Sequence, residues 1–187
     1  YSFNVSNTRL NDSDFSGNFS IFKSDNEYND YSTLSNGFST GIGHRFTRHL
    51  SGYVGYGFSS NSYNFDSNST IDQTYFESFS KSSISVSVSY DSTDDYYLPR
   101  KGIAASQSFE YAGIGGDARF IKSRTSFSAY KGLEKWLGFD VIARYKARFN
   151  FVKESGNLPI AERFYMGGIG SVRGYESYSL SPTVVNT

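Results

Sequence analysis

The run FDVIARYKARFNF, Phe139 to Phe151, constrains the fold more than any other part of the chain. Phe139, Val141, Ala143, Tyr145, Ala147, Phe149 and Phe151 share one parity. Asp140, Arg144, Lys146, Arg148 and Asn150 share the other, where Ile142 is the lapse. Side chains of a β-strand point alternately to the two faces of a sheet, so this segment reads as a strand with one apolar and one charged face. At about 3.3 Å per residue it is about 40 Å long, whereas strands of ordinary globular domains have about 5–6 residues. A strand of this length, tilted by about 45°, crosses a hydrocarbon layer and projects beyond it.

The same period recurs along the chain. SISVSVSY sets Ile84, Val86, Val88 and Tyr90 against Ser83, Ser85, Ser87 and Ser89. Further strands are predicted at the N-terminus (Tyr1, Phe3, Val5) and over about Phe15–Lys23, Gly37–Phe46, Leu50–Ser60, Ile103–Tyr111 and Phe120–Lys131, giving about eight in all. Only alternate residues need be apolar, which explains a mean hydropathy of −0.47 and a hydrophobic fraction of 37% beside 18% aromatics. No apolar run approaches the roughly 18 residues of a membrane helix, but barrel strands cross with alternation alone. Links at Thr8–Ser13, Thr47–His49, Asp91–Lys101 and Gly132–Gly138 fall on one end of the strands. Asp25–Thr33, Asn61–Ser80, the AGIGG link at Ala112–Gly116 and everything after Lys153 fall on the other. Mostly short turns at one end and longer loops at the other is the pattern of an outer-membrane barrel.

The expected fold is therefore all-β: an antiparallel transmembrane β-barrel, with the serine row facing a wet lumen and the apolar row facing lipid. Tyr1 already lies in a strand and Thr187 follows a loop, so residues 1–187 are expected to be a fragment of one barrel domain. About eight strands would occupy residues 1–152, and a long extracellular loop about 153–187.

Composition narrows the function. Lys+Arg and Asp+Glu are both 18, so no net charge draws the chain to nucleic acid. Cysteine is absent, and the two histidines, His44 and His49, flank one tight turn without metal-ligand spacing. Asp12, Asp14, Asp91, Asp94 and Asp95 lie where turns are expected and suit turn formation better than calcium ligation. No enzyme, metal or cofactor is expected.

Two constellations remain. Arg144, Lys146 and Arg148, with Lys122 and Arg124 on the neighbouring strand, form a cationic wall in the lumen, where Glu110 and Asp140 are also in register. Such a wall either pairs with acids in a hydrated interior, which satisfies charge away from bulk water, or selects anions in a pore; pairing is the expectation. The second is RFYMGGIGSVRGYESYSLSP, Arg163–Pro182. Gly167, Gly168, Gly170 and Gly174 make it pliable, and without a following helix or a GK[ST] it is no phosphate loop.

This segment resembles the sixth extracellular loop of the BamA family, outer-membrane assembly factors related to surface antigens and two-partner secretion transporters. Its GG…VRG(F/Y) motif matches Gly167, Gly168, Val172, Arg173, Gly174 and Tyr175, with Phe164–Tyr165 before it and Pro182 after. DDYYLPRKG, Asp94–Gly102, resembles the family's turn after its eighth strand. The resemblance implies the middle of a barrel of roughly sixteen strands, an even count as in such barrels. It implies insertion of unfolded β-barrel precursors into outer-membrane lipid of a Gram-negative bacterium, without chemistry or nucleotide. Accessory lipoproteins would bind through periplasmic domains outside this chain. In the family the loop folds into the lumen, where its arginine meets acidic residues, so the resemblance places the partners of Arg173 beyond Thr187 and Tyr175 against the wall. A TamA-like or two-partner secretion transporter is the near alternative, and a passive porin-like channel the alternative of another class.

Overall fold

The computed structural model describes residues 1–27, 31–65, 76–168, 170–176 and 179–180. It contains one antiparallel sheet of eight strands: β1 (Ser2–Asn7), β2 (Phe15–Glu27), β3 (Tyr31–Arg45), β4 (Leu50–Phe65), β5 (Phe79–Asp91), β6 (Lys101–Gly116), β7 (Phe120–Gly132) and β8 (Ile142–Glu154). Strand order in space follows strand order in sequence, and β1 and β8 are not paired with each other. β2 to β8 each have 13 to 16 residues, more than twice an ordinary strand.

Register makes each face continuous. Val54 pairs with Val86 and Val86 with Phe109, while Gly55 pairs with Ser85 and Ser85 with Glu110. Burial is inverted relative to a soluble sheet. Val86 is 45% exposed and Phe149 68%, whereas Ser83, Glu110 and Lys122 are buried. The apolar parity is thus the outer surface, and the polar parity is the face that the chain covers with its own loop. Small residues on the polar face leave room for larger ones. The Tyr53 ring lies so close over Gly41 and Gly55 that a Cβ there would sit 2.1 Å from its Oη and 2.8 Å from its Cε1. Its hydroxyl donates to Asn18 Oδ1, two strands away, at 2.9 Å.

Both ends differ in detail from the sequence reading. The AGIGG segment is not a link: β6 runs through Gly116, and the connection is Asp117–Arg119. A register shift opposite Lys81–Ser83 absorbs the glycines while the ladder with β5 continues. Asp117 closes the turn by accepting from Ser80 N (3.0 Å) and Oγ (2.8 Å). β3 and β4 also reach further, to Tyr31 and Phe65.

At the opposite end, where the connections have four to nine residues, Asp94 and Asp95 act as turn formers. Asp94 Oδ1 accepts from Arg100 N and Lys101 N at 2.9 and 3.1 Å, and Asp95 Oδ1 from Tyr97 N and Leu98 N at 2.7 and 2.8 Å. The Asp94 carboxyl is held below its ordinary range by those Lys101 and Arg100 amides. A short helix α1 (Glu134–Leu137) occupies the β7–β8 connection.

The outward apolar row predicts opposite substitution effects on neighbouring residues. In the full-length protein in a bilayer, Val86→Arg should cost about 2–4 kcal/mol and Ser87→Arg little. Spin labels at the two positions should show opposite access to lipid-soluble and water-soluble quenchers; equal access would refute the assignment of the faces.

Candidate functional site

After β8 the chain turns back over the polar face. Arg119 N donates to Asn157 O at 2.7 Å and Ser155 N to Arg119 O at 3.0 Å, which ties the loop root to the β6–β7 turn. Leu158 then packs against a small buried cluster of Phe79, Ala112, Ala118 and Phe120. This is apolar packing at the long-loop end of an otherwise hydrophilic face.

A single helical turn, Ile160–Glu162, follows and delivers Glu162 into a row of charges. Glu162 Oε1 accepts from Lys81 Nζ at 2.6 Å, and its Oε2 pairs with Lys122 Nζ. Lys81 also pairs with Glu110 at 3.2 Å, and Arg124 reaches Glu110 at 3.6 Å. Phe164 completes the contact, its ring centroid 5.4 Å from Lys122 Nζ and 5.8 Å from the Arg124 guanidinium carbon. Glu110 is 8% exposed and Lys122 4%, so each charge depends on its partners. Burial pushes the Glu162 carboxyl up, but Lys81 and Lys122 outweigh that and hold it below its ordinary value near 4.5.

Beyond Phe164 the glycine motif closes a compact lobe. Gly167, Gly168 and Gly174 have φ of 114°, 85° and 89°, a region that favours glycine. Gly168 bridges to Val172, and Gly168 N donates to Tyr175 O at 3.0 Å. Ser171 fastens the turn: its hydroxyl accepts from Gly167 N and donates to Gly167 O, both at 2.9 Å. Val172 is half-buried. Arg173 and Tyr175 are exposed, and among the described residues Arg173 pairs with no carboxylate. Pro182 lies outside the described residues.

The structure distributes the sequence-predicted charges differently from the single wall expected. Glu110, Lys122 and Arg124 meet in the loop network. Arg144, Lys146 and Arg148 lie on the same face, opposite Tyr130, Ser128 and Ser126, but are exposed, with Arg144 over the Tyr130 ring at 5.4 Å. Asp140 is not in β8 at all. The β7–β8 connection, with Leu133 N donating to Val141 O, ends the strand pairing short of it. Asp140 instead receives Arg100 from the β5–β6 turn, Nη1 at 3.0 Å from Oδ2, and Glu134 joins at 3.2 Å. Arg100 holds the Asp140 carboxyl below its ordinary range. Glu162, Lys81 and Ser171 were not among the predicted site residues. Only Ser171, inside the motif, carried any signal of its position.

A sequence profile described as the Omp85 superfamily domain matches residues 1–186. The chain belongs to the Omp85 superfamily. Similar curated Omp85-type relatives include the "Outer membrane protein assembly factor BamA" of Nitratidesulfovibrio vulgaris, 40% identical over 96 residues, or 49% of this chain and 12% of that protein. The "SAM50-like protein CG7639" of Drosophila melanogaster is 36% identical over 104 residues, 54% of this chain and 23% of its own length. The human "Sorting and assembly machinery component 50 homolog" is 36% identical over 105 residues, 54% and 22% respectively. The alignments thus span less than a quarter of these relatives. The crystal structure of BamA from Haemophilus ducreyi lacking POTRA domains 1-3 superposes with a TM-score of 0.79 at 19% identity, over 97% of this chain and 38% of that one, which shows a shared fold.

The Glu162 contact predicts acid-labile docking of the loop root. A depressed folded-state pKa means that the docked loop binds fewer protons than the free one. The stabilisation is complete above the ordinary value near 4.5 and is lost as pH falls through the folded-state value. Glu162→Gln should cost about 3 kcal/mol by leaving Lys122 buried without its counter-charge. Hydrogen exchange across residues 155–165 checks both: protection should fall with pH in the parent protein and be low and flat in the variant.

Proposed function

We propose that this chain is the wall and return loop of an outer-membrane assembly factor that folds β-barrel precursors and inserts them into the membrane. The observation that carries the reading is the rooted loop. Long, outwardly apolar strands form the wall, and a segment bearing the VRGY motif is held to its inner face through Glu162. The names of the relatives, which speak of outer membrane protein assembly and of sorting and assembly machinery, support it.

On this reading Arg144, Lys146 and Arg148 line the wet interior together with Glu110. Gly167, Gly168 and Val172–Tyr175 form a lock, in which the Arg173 fork reaches carboxylates supplied by the remainder of the barrel. The work done is mechanical. An incoming strand gains hydrogen bonds by adding to an open sheet edge, a form of β-augmentation that needs neither nucleotide nor covalent chemistry. The partners are unfolded β-barrel precursors and outer-membrane lipid, with accessory lipoproteins engaged through other domains. The location is the outer membrane of a Gram-negative bacterium.

Arg173→Ala in the full-length protein tests the lock. Expression should persist, while the loop becomes more open to protease and outer-membrane protein levels fall. Arg173→Lys should restore only part of the function, because a point charge cannot replace a bidentate fork. Normal protease resistance and normal outer-membrane protein levels in Arg173→Ala would rule the lock out.

A further inference from the structure

At the end of the outer face that carries the β5–β6 and β7–β8 connections the apolar rows give way to a different pattern. Lys101 and Lys131 are directly opposed across β6 and β7, on the same parity as the outward-facing Ile103. Both are exposed, and among the described residues neither forms an ion pair. Like charges directly opposite each other on one face repel. They form the terminal pair of the β6–β7 ladder. Beside them Lys131 Nζ sits 5.0 Å from the centroid of Trp136, the chain's sole tryptophan, which is 78% exposed on α1. Leu98 and Phe139 project from the flanking turns, also exposed.

Two lysines paired across neighbouring strands, an exposed indole and apolar tips at the edge of a lipid-facing wall match one ligand chemistry: a phosphate with acyl chains attached. Indoles favour the level of the headgroups, and lysine stems lie along apolar surface while the charge reaches outward. We propose that Lys101, Lys131 and Trp136 form a binding site for the headgroup of an anionic phospholipid. The phosphate sits between the two ammonium groups, and the acyl chains run up the wall past Ile103. The inference rests on the reading of this face as lipid-facing. It adds a specific lipid site to the general contact with the bilayer, on the side of the wall opposite the return loop.

The test uses the full-length protein, free of other cysteines, in phosphatidylcholine vesicles doped with brominated phosphatidylglycerol or brominated phosphatidylcholine. One fluorophore is attached at Leu137→Cys, beside the site, and another, in a separate sample, at Val86→Cys on the apolar wall. At position 137 brominated phosphatidylglycerol should quench preferentially, the local enrichment being about fivefold for each lysine. Lys101→Gln with Lys131→Gln should bring that preference down to the value at Val86, and excess inorganic phosphate should leave it in place. No preference at 137, a preference that survives the double substitution, or one abolished by free phosphate would each overturn the lipid site. A Val86 label that neither brominated lipid quenches would instead bring down the lipid-facing reading itself, and the site with it.

Discussion

Every other feature of this molecule depends on the backbone hydrogen-bond ladder. Hydrocarbon offers no water to satisfy peptide N–H and C=O groups, so a strand that crosses it must be paired along its length. Neighbour pairing runs from β1 on β2 to β7 on β8 and meets that requirement for β3 to β7, while β1 and β8 each keep one edge for which the sheet holds no partner. Pairing of this kind is indifferent to side chains. It demands only that each residue fall on the correct face, which is why a chain with 37% hydrophobic residues can present a continuous apolar exterior.

The inner face obeys a second constraint. Charge on it is tolerable where water reaches it or where a counter-charge does, and the structure uses both solutions. Arg144, Lys146 and Arg148 remain exposed. Lys122 and Glu110 are buried and are satisfied through Glu162, Lys81 and Arg124. The loop is therefore fastened by the same ions that would otherwise be stranded beneath it. Removing the loop would expose Phe79 and Phe120 along with the charges, so apolar packing and ion pairing act in the same direction. Their joint effect is to fix the loop root while the glycine-closed lobe beyond Phe164 stays open to other contacts.

The opposite end of the wall is built by different means. In its β5–β6 connection aspartate side chains cap free backbone amides. Arg100 ties the β5–β6 turn to the β7–β8 turn through Asp140. That end carries the exposed Trp136, Lys101 and Lys131, and the loop end carries the glycine-rich segment with Arg173.

How much of this was legible in the sequence follows from how local each determinant is. Strand identity and facing were legible because parity is a property of neighbouring residues: Val86 and Ser87 declare their faces without reference to anything distant. The expected contrast of short turns at one end and long loops at the other was not, because the strands run on through most of the Asp25–Thr33 and Ala112–Gly116 segments. The motif glycines were legible for the same reason, since positive φ at Gly167 and Gly174 is a local demand. Strand ends were less so. Glycines at 113–116 suit a turn or a bulged strand equally, and only pairing with β5 decides between them. Asp140 had the parity of the inner face, yet Arg100, 40 residues earlier, claims it at the turn. Glu162 had no local signature at all. Its role is set by Lys81 and Lys122, 81 and 40 residues away, which meet it only because the sheet brings β5 and β7 to one face and the loop returns across them. The sequence by itself determined which way each strand faces, because that choice is made residue by residue. Only the tertiary structure decided which charges meet, because a counter-ion is chosen by proximity in space and not by position along the chain.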